Sequence, residues 1–300
     1  MMLTPFKDNG EVDYEGLTEL TAFYLRSGAA GLFANCLSSE MYELSAGERL
    51  DILQHIIRQV NGTVPVVASG TFGHTIREQA LFTQKVYDTG VKAVIIVTGM
   101  LAEETETDAV FSDRVFRFLE LTGDIPLGFY ECPVPYKRLI LPEQLKQFVA
   151  TERILYHKDT CMDIGQVKAK LAAANGHQFG LYDAYMGHAV ESLKAGAAGL
   201  SCIQGNYWPE LIVWLCDHYD DTDREKEVAK VQQFFIDNMD VMHDVYPITA
   251  KYCLQKRGMA ISSFTRQQVG MFTEDIRKKI DRLYADYECL QEQLDIKNVL

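Results

Sequence analysis

The chain has 300 residues, of which 47% are hydrophobic, so it can bury a large core. Acidic residues outnumber basic ones 42 to 29, which gives a formal net charge of −13. This balance disfavours nucleic acid and anionic membrane surfaces as partners, because both bind clustered Lys and Arg side chains.

Short apolar runs alternate with longer helical patterns through the first two thirds of the chain. Because the runs are nearly continuous rather than alternating, they indicate parallel strands buried on both faces. With MMLT at residues 1–4 as a first strand, eight strands and their crossover helices predict a (β/α)8 TIM barrel. An open doubly wound sheet is the alternative, but no GxGxxG follows a strand. The predicted strands are 31–35, 64–69, 92–97, 126–131, 154–159, 178–183 and 199–203, and the predicted helices include 46–60, 75–89, 108–121 and 163–174.

Strand patterns end after residue 206, and three segments with helical periodicity follow: 209–219, 224–243 and 266–293. The predicted fold is therefore an α/β barrel over residues 1–206 with a C-terminal helical region, residues 207–300, packed on it.

Two reactive side chains stand at the ends of neighbouring predicted strands, Tyr130 at the end of the fifth and Lys158 at the end of the sixth. In TIM barrels the active site lies at these carboxyl ends. Partial burial lowers the pKa of a lysine amine, which can then form an imine with a ketone. A nearby phenol can move the protons that this reaction requires. The alternative is a lysine that reaches solvent and a tyrosine that packs in the core with a wet tip.

The seven cysteines are scattered, odd in number and without a CxxC pair. This pattern is typical of a reduced cytosolic protein and disfavours a structural zinc site. The sequence opens without a basic-then-apolar leader, and no apolar stretch approaches the roughly 20 residues that span a bilayer. We therefore expect a cytoplasmic protein.

Several sequence blocks, in their order and spacing, resemble the dihydrodipicolinate synthase and N-acetylneuraminate lyase family of class I aldolase-like barrels. The blocks are LTPFKDNGEVDYEGL (3–17), SSEMYELSAGER (38–49), VPVVASGTFG (64–73), YECP (130–133), HKDT (157–160) and GAAGLSCIQGNYWP (196–209).

This resemblance implies roles for individual residues. Lys158 matches the lysine that forms a Schiff base with a 2-oxo acid such as pyruvate, and Tyr130 matches the proton-transferring tyrosine. The loop containing Ser38 and Ser39 matches the segment that holds the keto-acid carboxylate. The stretch Ser201 to Ile203 matches a segment that lines the pocket, although a packed strand is an equal alternative. The resemblance implies no cofactor and no metal, and it implies a homo-oligomer, either a dimer or a tetramer.

The chain also departs from the synthase pattern at three places. Leu37 replaces the first hydroxyl of the loop, GML (99–101) replaces the PYY stretch, and Pro135 stands where the synthase has an arginine. Lys137 and Arg138 follow closely and either bind an anion or form an exposed charged turn.

We therefore predict a cofactor-free Schiff-base lyase, aldolase or dehydratase that acts on a 2-oxo acid. One alternative is a 4-hydroxy-tetrahydrodipicolinate synthase with a rebuilt proton relay. The other is a catalytically silent sensor that binds a keto acid.

Two further residues lie near the predicted reactive pair. His157 is expected to pack against a helix, whereas Tyr182 is a candidate contact for the distal part of a substrate.

Overall fold

A computed structural model describes residues 1–297 and 299, and within them it has seven β-strands and twelve α-helices. The strands are β1 (Leu32–Ala34), β2 (Val66–Ser69), β3 (Ala93–Val97), β4 (Leu127–Tyr130), β5 (Ile154–Asp159), β6 (Gly180–Asp183) and β7 (Gly199–Leu200). The helices are α1 (Tyr14–Arg26), α2 (Ala46–Val60), α3 (Ile76–Tyr87), α4 (Asp108–Leu121), α5 (Pro142–Val149), α6 (Ile164–Ala173), α7 (Ala189–Lys194), α8 (Pro209–His218), α9 (Glu225–Asp237), α10 (Met239–His243), α11 (Ile248–Lys256) and α12 (Glu274–Leu294).

The contacts divide the chain into two compact units. One consists of Met1–Val64 together with Cys202 and the described residues that follow it, and the other is Pro65–Ser201.

In the unit Pro65–Ser201, strands β2 to β7 pair in sequence order, and every pair is parallel. Helices α3 to α7 follow strands β2 to β6 one by one. All residues of β2, β3 and β4 are buried, as the near-continuous apolar runs predicted. Because the strands are parallel, their carboxyl ends lie at one edge of the sheet, and β4 and β5 bring Tyr130 and Lys158 to that edge.

The other unit contains β1, helices α1 and α2, and the C-terminal helices α8 to α12. The predicted first strand, MMLT, is not a regular strand, but the Met2 N–H donates to the Phe33 carbonyl of β1 at 2.9 Å. Helix α2 begins where predicted because Ser45 and Glu48 form a reciprocal capping box at its N-terminus.

The C-terminal helices differ from the sequence prediction. The predicted helix 224–243 is interrupted at Asn238, whose backbone (φ −109°, ψ 10°) leaves the helical region between α9 and α10. Helix α11 was not predicted. The predicted helix 266–293 begins only at Glu274, capped by Thr273, because Gly270 has a positive φ of 105° that a helix cannot contain. None of the helices within the described residues has the length and apolar character needed to span a membrane.

Candidate active site

Tyr130 and Lys158 occupy the same register position on the neighbouring parallel strands β4 and β5. The Lys158 Nζ lies 4.1 Å from the centre of the Tyr130 ring. Both side chains are buried, with 3% of Tyr130 and 2% of Lys158 exposed. The structure thus brings the predicted amine and phenol together. The alternative, a lysine that reaches solvent, does not agree with the burial of Lys158.

The register of this pair depends on an irregularity lower in the two strands. Leu127 pairs with Ile154, but the next residue, Gly128, pairs with Tyr156, so Leu155 has no partner on β4. An extra residue of this kind shifts every later side chain by one position. A Cβ on Gly128 would lie 2.7 Å from the Tyr156 carbonyl oxygen, so glycine permits the close approach of the strands.

Two further tyrosines share the face of the sheet that carries Lys158. Tyr182 on β6 pairs with Lys158 in register, and its ring stacks on Tyr156 with centres 4.5 Å apart. Burial raises the pKa of Tyr182. The Tyr156 hydroxyl donates to the Ser201 Oγ at 3.1 Å, so Ser201 contacts this group of tyrosines. Sequence reasoning missed Tyr156, although its place two residues before Lys158 on one strand is a signal for a shared face.

The opposite face of β4 and β5 carries a fully buried group of charged side chains, called here the rear cluster: Glu131, His157, Asp159 and Lys170. Lys170 on α6 donates to Glu131 Oε1 at 2.6 Å and to Asp159 Oδ2 at 2.7 Å. The His157 Nε2 lies 3.2 Å from Glu131 Oε1. His157 thus lies on the face opposite Lys158, in agreement with strand alternation.

The charges of the rear cluster depend on its mutual contacts. Burial acts to raise the pKa of Glu131, but His157, Lys170 and the Ile140 N–H together hold it at about 2. Burial likewise acts against the Lys170 ammonium, but the two carboxylates raise its pKa overall. Ligand atoms of Glu131, His157 and Asp159 lie within 4.8 Å of one another, a spacing that suits a metal ion. The Lys170 ammonium already provides the cation between the two carboxylates.

In the other unit, the loop that follows β1 is a tight turn over Leu37–Ser39. The Ser39 hydroxyl donates to the Met2 carbonyl at 2.7 Å and accepts the Cys36 N–H at 3.2 Å. The Thr4 hydroxyl donates to the Ser39 carbonyl at 2.9 Å. Ser39 is therefore engaged in holding the loop, which leaves Ser38 as the better candidate for a ligand.

Glu40 ends this loop in the left-handed conformation, with φ 55°. Its Oε1 accepts from Lys251 Nζ at 3.0 Å, and its Oε2 accepts the N–H groups of Arg266 and Gln267 at 2.7 and 2.9 Å. Burial lowers the pKa of Lys251, although the Glu40 carboxylate acts in the opposite direction. Glu40 therefore connects the loop to α11 and to the segment that follows it.

A chain of hydrogen bonds leads through the same unit to Ser38. The Tyr24 hydroxyl donates to Asn206 Oδ1 at 2.5 Å, and Asn206 Nδ2 donates to the Tyr246 hydroxyl at 2.6 Å. The Tyr246 phenol in turn is hydrogen-bonded to the Ser38 side chain, and burial raises the pKa of Tyr246 far above its ordinary value. The Ser38 hydroxyl faces the Met1 Sδ at 3.8 Å. Sequence reasoning did not identify Tyr246, because no local motif connects it to Ser38.

The remaining sequence candidates have varied surroundings. Ile203 opens a short turn, Ile203–Asn206, and is half-buried. Arg138 is buried rather than exposed: its guanidinium contacts Asp108 at 3.0 Å, the Tyr136 hydroxyl at 2.9 Å and two backbone carbonyls. The Lys137 ammonium donates to the Thr160 carbonyl at 3.0 Å. Arg138 therefore has structural partners rather than a free anion-binding face.

Comparison with known proteins identifies curated relatives that are named 4-hydroxy-tetrahydrodipicolinate synthase. A 4-hydroxy-tetrahydrodipicolinate synthase of Pseudomonas savastanoi pv. phaseolicola is 25% identical over 257 residues, covering 86% of each chain. The enzyme of the same name from Bacillus subtilis is 23% identical over 286 residues, covering 95% of this chain and 97% of its own.

Solved structures show the same fold. The prophage protein YagE of E. coli K12, in complex with pyruvate, superposes with a TM-score of 0.83 at 21% identity, covering 97% of this chain and 96% of its own. The chloride-inhibited dihydrodipicolinate synthase of Acinetobacter baumannii, also with pyruvate, gives a TM-score of 0.84 at 22% identity, with 96% and 97% covered. The predicted TIM barrel with a C-terminal helical extension is confirmed.

A model of the dihydrodipicolinate synthetase family matches residues 1–286, nearly the whole chain. The family that the sequence blocks predicted is confirmed, and with it the reaction class of an aldolase-type lyase. The chain belongs to the dihydrodipicolinate synthetase family.

Proposed function

We propose that this protein is a cofactor-free Schiff-base lyase, aldolase or dehydratase whose substrate is a 2-oxo acid. The observation that carries the proposal is the buried contact between the Lys158 amine and the Tyr130 ring, at the carboxyl ends of β4 and β5. A lysine nucleophile reacts in its uncharged form, and burial, which leaves 2% of Lys158 exposed, acts against the charged form.

In the first step, the uncharged Lys158 Nζ attacks the keto carbon of the substrate, and a C–N bond forms while the carbonyl π bond breaks. Tyr130 moves a proton from the nitrogen to the new alkoxide, which gives a neutral carbinolamine. Tyr130 then donates a proton to the carbinolamine hydroxyl, which leaves as water, so that a protonated imine and the Tyr130 phenolate remain. The protonated imine then withdraws electrons from the adjacent carbon, so a bond at that carbon breaks or forms. Release of product by water regenerates the amine.

The same scheme assigns Ser38 to the substrate carboxylate. The Tyr246 phenol holds the Ser38 side chain by a hydrogen bond. The Ser38 hydroxyl also donates to the Met1 Sδ at 3.8 Å, and this thioether is a weak acceptor that a carboxylate outcompetes. We further propose that Ser201 and Ile203 line the pocket and that Ser39 supports it as part of the loop.

Similarity to proteins bound to pyruvate supports a 2-oxo acid as the substrate class. The curated relatives favour the alternative of a 4-hydroxy-tetrahydrodipicolinate synthase. Leu37, residues 99–101 and Pro135 depart from that enzyme's pattern, so the second substrate is proposed to be different. A coupled assay with pyruvate and aspartate semialdehyde separates these two candidates.

The experiment that tests the proposal is reductive trapping. The purified protein is incubated with each member of a 2-oxo acid panel and borohydride, and its intact mass is measured, with Lys158→Ala and Lys168→Ala as the matched variants. Lys168 is an exposed lysine on α6 that pairs with Glu191, so its loss leaves the site intact. An adduct in the wild type and in Lys168→Ala, absent from Lys158→Ala, supports the proposal. Absence of any adduct favours a silent keto-acid sensor.

We also propose that the protein acts in the cytoplasm as a homodimer or homotetramer. Among the described residues no disulfide joins any of the seven cysteines, which suits a reducing compartment. A solved relative is described as a monomeric variant, so the assembly state needs a direct measurement. Light scattering of the purified protein at several concentrations provides it.

A further inference from the structure

The rear cluster lies directly behind the reactive pair, and the proposed chemistry does not use it. Glu131 follows Tyr130 in the chain, while His157 and Asp159 flank Lys158 on either side. Because successive strand residues point to opposite faces, each reactive side chain has a charged neighbour on the other face of its own strand. All four members of the cluster are fully buried.

Lys170 holds this cluster together. Its ammonium bridges Glu131 and Asp159 at 2.6 and 2.7 Å. Without that charge, two ionised carboxylates would face each other in a buried space, which is strongly unfavourable. The separation of the ends of β4 and β5 therefore depends on a side chain supplied by α6.

Glu131 connects the rear cluster to the backbone at the ends of β4 and β5 by hydrogen bonds. Its Oε1 accepts the Ile140 N–H, and its Oε2 accepts the Thr160 N–H, each at 2.9 Å. The Thr160 hydroxyl donates to the Glu131 carbonyl at 2.6 Å, and the Glu131 N–H donates to the Lys158 carbonyl at 3.3 Å. Glu131 is thus joined to Thr160 by two hydrogen bonds and to Lys158 by one.

We propose that Lys170 is a positioning residue, which fixes both the geometry of the Tyr130–Lys158 pair and the charge behind the reactive amine. The proposal rests on the imine chemistry proposed for Lys158. It identifies a function for a buried lysine that lies on the other side of the sheet from the substrate and does not touch it.

The charge of the rear cluster determines the direction in which the pH dependence of imine formation shifts in each variant. Lys170→Met leaves one more net negative charge behind Lys158, which favours its ammonium form, so imine formation shifts to higher pH. Glu131→Gln removes a negative charge and shifts the reaction to lower pH. A unit charge several ångströms away at an effective dielectric constant of about 20 gives a shift of about one to two pH units. The charged and titratable groups around Lys158 are Tyr130 and Glu131 on the β4 side, Tyr156, His157 and Asp159 on β5, Tyr182 and Asp183 on β6, and Lys170 on α6.

The experiment follows the rate of reductive trapping with pyruvate as a function of pH in the wild type, Lys170→Met, Glu131→Gln and the double variant. The double variant restores the net charge of the wild-type cluster, so its pH profile returns toward that of the wild type. Lys168→Met is the matched control, because Lys168 lies on the same helix but is exposed. Melting temperatures confirm that each variant is folded at the temperature of the assay.

We expect Lys170→Met to lower the rate of reductive trapping at its optimal pH by about 10- to 100-fold, since small displacements of reacting groups have effects of this size. Opposite pH shifts in Lys170→Met and Glu131→Gln support the proposal, and a purely structural role does not produce them. If Lys170→Met does not fold, the shift in Glu131→Gln and its reversal in the double variant carry the test. Unchanged profiles in the folded variants overturn the positioning role while wild-type trapping still supports the imine. Absence of trapping in the wild type overturns both.

Discussion

Tyr130 pairs with Lys158 across β4 and β5 because Leu155, three residues before the lysine, is left without a partner. Without this irregularity, Tyr130 would stand opposite His157, and the amine would lie one position further along. The chemistry therefore depends on a local feature of the strand as much as on the identity of the two residues.

Removal of the Tyr130 hydroxyl is expected to slow the reaction while leaving the nucleophile in place. Tyr130→Phe retains the ring that packs against Lys158 but loses the group that moves protons. We predict that kcat falls by about 10²- to 10⁴-fold, the usual range for a lost general acid–base. The adduct with pyruvate should still form on long incubation. A variant with the wild-type kcat would show that another group moves the protons.

The two serines of the loop should respond differently to substitution. Ser38→Ala removes the proposed carboxylate donor, and we predict that KM for the keto acid rises by about 10- to 100-fold. Ser39→Ala leaves the Met2 carbonyl and the Cys36 N–H without their hydroxyl partner and should cost about 1–3 kcal/mol in the free energy of unfolding. Urea denaturation and steady-state kinetics of both variants check this. The reverse pattern would assign the carboxylate to Ser39.

Tyr246 should influence substrate binding through Ser38. Tyr246→Phe keeps the ring but removes the hydroxyl between Asn206 and Ser38, and we predict a rise in KM of about 3- to 10-fold, smaller than that for Ser38→Ala. The matched control is Tyr207→Phe, whose hydroxyl contacts the Met242 carbonyl and Thr249 instead. Equal changes in KM for the two phenylalanine variants would contradict a specific link between Tyr246 and Ser38.

The rear cluster should dominate part of the acid denaturation of the protein. The pKa of Glu131 is lowered to about 2 in the folded state, so its stabilising contribution is complete above the unfolded value near 4.5. This contribution is lost as the pH falls from about 4.5 toward 2. Glu131→Gln should therefore flatten the pH dependence of the free energy of unfolding in that window. Glu143→Gln, which removes an exposed carboxylate on α5, should not, and equal slopes in the wild type and Glu131→Gln would contradict the prediction.

Much of the barrel could be predicted from the sequence because each buried parallel strand is a short run of apolar residues. The run 154–159 was predicted with the observed bounds of β5, and the helices 46–60 and 108–121 agree with α2 and α4. The irregularity at Leu155 was not predicted, since nothing in a single strand's sequence specifies its register against the next strand.

The site residues that were not predicted are those whose contact partners lie far away in the sequence. Lys170 and Lys168 look alike on the sequence of α6, but only Lys170 meets carboxylates supplied by the strands. Helix α11 has a fully buried lysine, Lys251, which interrupts its apolar pattern and whose partner, Glu40, lies 211 residues away. Tyr246 depends in the same way on Asn206, a contact that no local pattern indicates.

The most direct test of the account is to locate the covalent adduct. The protein is treated with pyruvate and borohydride and digested, and the modified peptide is identified by mass spectrometry. We predict a single modified side chain, Lys158, with no modification of the buried Lys170 or Lys251. An adduct on another lysine, or an even distribution over exposed lysines, would contradict the assignment of the Schiff base to Lys158.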